Sequence, residues 1–130
     1  MAERRGASGR LGRARSDPPH HHELCFGCGQ ANLFGLQLEF ERLGDRVEGR
    51  FFVKQDHQGE PGAAHAGVLT ATLEVAISLA AGERPKQLEL ELLAPAPVGD
   101  FVLVSGSAKG AEARAGDGSP LARASVPIDN

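Results

Sequence analysis

The chain has 130 residues, a formal net charge of −3, 41% hydrophobic and 24% charged side chains. That suits one folded domain with a core of its own and excludes an intrinsically disordered chain. Two cysteines are too few for a disulfide-stapled miniprotein, and no apolar run approaches the roughly 20 residues of a membrane-crossing helix.

Charge is unevenly spread. The first 23 residues carry five Arg against three acidic side chains, which leaves nine basic and fourteen acidic residues for the rest. A domain that acidic is not steered to nucleic acid by its own field. Residues 1–23 are built from Gly, Arg, Ser and Pro and have no periodic apolar face or leader-like apolar stretch. They are expected to form a flexible tail ahead of one domain spanning 24–130.

Leu36-Gln37-Leu38-Glu39-Phe40-Glu41 alternates with period two and predicts a half-buried strand. Leu43-Gly44-Asp45-Arg46 reads as a turn into a second strand over 47–53. After a Gly- and Pro-rich loop, residues 66–81 form an almost wholly apolar helix with no polar face, so protein must surround it. Gly82 ends it and Pro85 follows. Strands return over 88–92, 101–104, 111–114 and 121–126. The order β-β-α-β-β-β-β predicts an α+β fold, an antiparallel sheet wrapped around one buried helix.

One residue in that helix is anomalous. Glu74 is the only ionisable side chain between His65 and Glu83, and no Lys or Arg stands at helical spacing to pair with it. Burying a carboxylate costs several kcal/mol unless it is paired, so Glu74 has either a partner from elsewhere or a function. His65-Ala66-Gly67 opens the helix, where the backbone N–H groups of Ala66, Gly67 and Val68 are expected to be unpaired donors at the positive end of the dipole. Such donors suit a developing oxyanion. Nine residues separate His65 from Glu74, about 13 Å along the axis. Donors and carboxylate from one chain therefore cannot converge on one small group, whereas two chains packed antiparallel could supply one from each.

His57-Gln58-Gly59, Gly62-Ala63-Ala64-His65-Ala66-Gly67-Val68-Leu69 and Leu73-Glu74-Val75-Ala76 together resemble the signature of hotdog-fold acyl-CoA thioesterases. The likeness is to the phenylacetate-degradation, 4-hydroxybenzoyl-CoA thioesterase type. That family's motif runs His-Gly-Gly, six variable residues, then Asp or Glu. Cys25-Phe26-Gly27-Cys28-Gly29-Gln30 and Ala94-Pro95-Ala96-Pro97-Val98-Gly99-Asp100 resemble further segments of it.

The resemblance implies that Glu74 is the catalytic carboxylate, as general base or nucleophile, and that Ala66 N–H, with Gly67, polarises the thioester carbonyl. It implies that His65 shapes the loop and that His57 and Gln58 contact substrate. It also implies an acyl-CoA substrate, a homodimer or dimer of dimers, and no cofactor. Ala66 stands where the family has Gly, Gln58 is the nearest amide to the water-holding position, and Pro85-Lys86-Gln87 lacks the Ser or Thr of some relatives. The segment 105–114 looks short for the fold. A non-catalytic acyl-CoA binder of the same fold is the main rival, and a hydratase fits less well.

Cys25 and Cys28 have the spacing of a zinc knuckle or redox pair, with His20, His21 and His22 just upstream. A closed zinc site wants four ligands, and histidines in a Gly/Pro-rich tail are poorly placed to supply them. The expectation is a tight turn without metal, its free thiols pointing to a reducing cytoplasm.

Overall fold

A computed structural model describes residues 18–128; the expected tail up to Asp17 lies outside the described residues. The elements are β1 (Glu39–Leu43), β2 (Arg46–Phe52), a 3-10 turn (Gln55–His57), α1 (Ala66–Ala81), β3 (Glu89–Leu92), β4 (Phe101–Ser107), β5 (Gly110–Ala115) and β6 (Pro120–Ser125). The six strands form one sheet in the order β1-β2-β4-β5-β6-β3, and every neighbouring pair is antiparallel. The chain leaves β2, runs through α1 and enters the sheet again at the far edge as β3.

The helix occupies the span the apolar run predicts. Gly82, at φ 82°, donates its N–H to the Ser78 carbonyl at 2.8 Å and stops it. Leu69, Leu73, Ala76 and Ile77 are buried on α1, as are Val47, Val102, Val104 and Ala113 on strands that the helix contacts. Helix and sheet meet closely at one point. A Cβ on Gly106 in β4 would lie 2.8 Å from the Ala76 Cβ, inside van der Waals contact.

Three segments depart from the simple pattern or fill it in. Leu36, Leu38 and Phe40 are buried as the alternation predicts, but β1 begins only at Glu39. Gln37 takes φ 51°, the left-handed region, and breaks the strand there. The Leu36 and Leu38 N–H groups donate instead to the Phe26 and Gly27 carbonyls, at 2.7 and 2.8 Å. Second, β3 alternates Glu and Leu yet buries neither face within one chain. It hangs at the sheet edge beyond the reach of α1, with Leu90, Leu92 and Leu93 exposed. Third, the segment 105–114 forms a closed hairpin, with β4 and β5 pairing from Val102–Ala115 to Ser107–Gly110 through a tight turn.

The Gly106–Ala76 approach gives a direct test. Gly106→Ala should destabilise the chain by about 1–3 kcal/mol through overpacking, read as a lower denaturation midpoint with an unchanged slope.

Candidate functional site

The helix entrance is built by the loop that precedes it. His65 is the N-cap, and its ring Nδ1 accepts the Gly67 N–H at 2.8 Å. The Val68 N–H donates to the His65 carbonyl at 2.9 Å. Of the three donors expected to be free, Gly67 and Val68 are therefore taken. Ala66 N–H alone has no acceptor among the described residues. Ala66 is helical and its φ is not positive, so its methyl group imposes no backbone strain. Gly59 keeps His65 in place, since a Cβ there would lie 2.8 Å from the His65 Cα.

His57 and Gln58 hold this loop rather than face the opening. His57 is buried, its Nδ1 accepts the Lys54 N–H at 3.0 Å, and its carbonyl accepts the His65 N–H at 2.8 Å. Its ring lies edge-on to Phe51, with centroids 6.0 Å apart. Burial, then the charge of Lys54, lowers the His57 pKa, against a smaller opposite pull from Asp56. Gln58 is engaged at both ends of its amide. Its Nε2 donates to the Gln55 carbonyl at 2.9 Å, and its Oε1 accepts the Gly62 N–H at 2.6 Å.

A groove of about 830 Å³ opens beside the helix entrance. His65, Ala66 and Leu69 line one wall, and Leu92, Leu93 and Pro95, at and beyond the end of β3, line the other. The free Ala66 N–H and the uncovered edge strand thus border the same space.

Glu74 lies about two turns farther along and outside that groove. It is half-buried and has two partners, Ser78 one turn on at i+4 and Arg84 from beyond the helix, where helical spacing does not look. Ser78 Oγ donates to Glu74 Oε2 at 2.7 Å, and Arg84 Nη1 donates to the same oxygen at 3.2 Å. No donor among the described residues reaches Oε1. Arg84 comes from beyond the Gly82 cap, where the chain doubles back. A single chain does not bring Glu74 and Ala66 together.

The cysteine turn packs on α1 at Val75, next to Glu74. Gly27 sits so close that a Cβ would fall 2.4 Å from Val75 Cγ2. Cys25 and Cys28 are buried, free thiols. Burial foremost, and the neighbouring Cys25, push the Cys28 thiol up to about 11, against a backbone hydrogen bond from His21. The premise that no tail histidine is placed beside these thiols does not hold. His21 Nδ1 lies 3.4 Å from each sulfur.

No family model matches the sequence, and no curated protein matches it. Solved structures do. A thioesterase superfamily protein superposes with a TM-score of 0.66 at 21% identity, over 74% of this chain and 57% of its own. The chain thus spans little more than half the length of that protein. AziG from S. sahachiroi gives 0.62 at 25% identity, over 70% of this chain and 88% of its own. A hypothetical thioesterase from Streptococcus pneumoniae, crystallised with coenzyme A, gives 0.61 at 17%, over 67% and 80%. The chain has the hotdog fold. The six-stranded antiparallel sheet around one helix is the shared architecture, as the sequence motifs imply.

The neutral, buried His57 makes this hotdog domain acid-sensitive. Its folded pKa lies below the unfolded value near 6.5, so its contribution is whole above that pH. The contribution falls away as the pH drops toward the folded value, because the unfolded chain then binds the extra proton. Thermal melts from pH 7.5 to 5 should show stability falling, and His57→Gln should flatten that slope while lowering stability at pH 7.5.

Proposed function

We propose that the chain hydrolyses an acyl-CoA or related thioester as a homodimer or dimer of dimers. In this reading Glu74 of one copy and the helix entrance of the other share a site. The observation that carries it is the single free backbone N–H of Ala66, at the head of an apolar helix and beside an unpaired strand edge. Support for the thioester class comes from similar structures, since the pneumococcal protein is a hypothetical thioesterase with coenzyme A.

The β3 edge offers unpaired backbone groups and the exposed Leu90 and Leu92, a surface suited to a second β3 in antiparallel register. A partner docked there would cover the groove at Ala66 and bring its own helix alongside. Ser78 and Arg84 fix Oε2 of Glu74 and leave Oε1 to take a proton from water. The resulting hydroxide attacks the carbonyl carbon, and Ala66 N–H donates to the oxyanion. Collapse breaks the carbon–sulfur bond, and the departing thiolate recovers the proton that Glu74 holds. His65, His57 and Gln58 act by shaping the loop. Gly67 N–H is spent on His65, which leaves Gly67 the structural part of the motif.

A binding-only reading is favoured by one observation, the ion pair that already occupies Glu74. Thiol release from a panel of acyl-CoA substrates decides between the two. Under the hydrolytic reading Glu74→Gln should lower kcat about 10²–10⁴-fold and leave ligand affinity within a few-fold. Saturable binding of an acyl-CoA with no turnover by the wild type would establish the binder instead.

Assembly has its own readout. Sedimentation should give a dimer or tetramer, and Leu90→Lys with Leu92→Lys should shift it toward monomer and abolish hydrolysis together. A wild-type monomer with full turnover would overturn the shared site.

A further inference from the structure

The cysteine turn contains an arrangement that neither the sheet nor the thioester chemistry requires. Cys25 Sγ, Cys28 Sγ and the His21 ring offer three ligand atoms within 4.8 Å of one another. His21 Nδ1 stands 3.4 Å from both sulfurs. A ring nitrogen carries at most one proton and cannot donate well to two sulfurs at once. A tetrahedral zinc ion with Zn–N near 2.0–2.1 Å and Zn–S near 2.3 Å puts nitrogen and sulfur about 3.5 Å apart. The two observed nitrogen–sulfur distances match that value.

The neighbouring groups are consistent with this set of three. His20 is turned away, with Nε2 toward Glu23 at 3.3 Å and Nδ1 against the Pro18 carbonyl at 3.1 Å. The His22 ring accepts the Leu24 N–H at 3.2 Å. His21 Nε2 is buried without a hydrogen-bond partner among the described residues, so the ring is not placed there by a bond on that side. A depression of about 200 Å³, bordered by Pro18, His20, Glu23, Cys28 and Gln30, gives solvent access beside Cys28.

We propose that His21, Cys25 and Cys28 bind a zinc ion, with water from this depression as the fourth ligand. Mixed sulfur and imidazole ligands select zinc over magnesium or calcium. The ion clasps the segment before Leu24 to the turn that Gly27 seats on Val75, next to Glu74 on the helix. It is a structural clasp, independent of whether the domain hydrolyses a thioester.

The test uses the full, untagged chain purified without a metal-affinity step. Metal analysis should find one zinc per chain. Replacement by cobalt(II) should give a thiolate-to-cobalt charge-transfer band and the intense visible absorption of a tetrahedral ion. Cys28→Ser and His21→Ala should each abolish stoichiometric binding and change the band, while the double variant His20→Ala with His22→Ala keeps both. Circular dichroism checks folding, and cobalt titration of chelator-treated wild type serves if the cysteine variant folds poorly. Folded wild type that holds no zinc and gives no cobalt band overturns the proposal. So does binding that survives Cys25→Ser with Cys28→Ser, or that disappears with His20 and His22 alone.

Discussion

Helix α1 has no side that water can satisfy well, and the rest of the structure answers to that. Sixteen residues carry a single charge, Glu74, and one sheet can cover only one side of them. Leu69, Leu73, Ala76 and Ile77 face that sheet and are buried. Gly67, Thr70, Ala71 and Glu74 stand at i, i+3, i+4 and i+7, a single stripe, and none of them is fully buried. The cysteine turn closes the helix beside Val75 but does not reach the whole stripe. Its residues are mostly small, which permits the close approach of another helix. An antiparallel second copy joined at β3 would supply one, and this is why the assembly and the site are a single question.

Glu74 sits where that stripe meets the cysteine turn. A half-buried carboxylate there loses part of its hydration, and Ser78 and Arg84 return it as hydrogen bonds. Arg84 is itself well exposed, so the pair adds little to stability. What it does is orient the group. Two donors on one oxygen define the direction of the other, a fixed orientation that a solvated surface glutamate lacks.

Local periodicity made most of the fold legible. The helix matched its apolar run at both ends because His65 and Gly82 are caps with local chemistry. Six strands were readable from alternation and turns, each displaced by a few residues at most. The failures share a cause, since they depend on contacts between segments whose spacing carries no pattern. Gln37 breaks a good alternation because the Phe26 and Gly27 carbonyls compete for its neighbours' N–H groups. Arg84 reaches Glu74 from ten residues away, past a helix cap, where an i+4 search cannot find it. Composition puts His21 in a tail, and composition does not report that a half-buried ring packs against two thiols. In the loop, the motif marks His57 and Gln58 as substrate contacts, whereas their hydrogen bonds tie the loop to itself. It could not tell a residue that faces the opening from one that holds the backbone facing it.

The replacement of glycine by alanine at position 66 loses its force for the same physical reason that leaves its N–H free. A side-chain cap accepts from the second or third helical N–H, and His65 takes the second, Gly67. The first position has helical φ and ψ, which any L residue adopts without strain. Its N–H is left over by the geometry of helix starts, whatever the side chain. Ala66 therefore keeps the donor while lining the groove. Glycine at position 67 is the tighter requirement, because a Cβ there would lie 3.1 Å from the His65 ring nitrogen that caps the helix. A side chain at 67 would disturb the cap, and through the cap the one donor that the entrance presents.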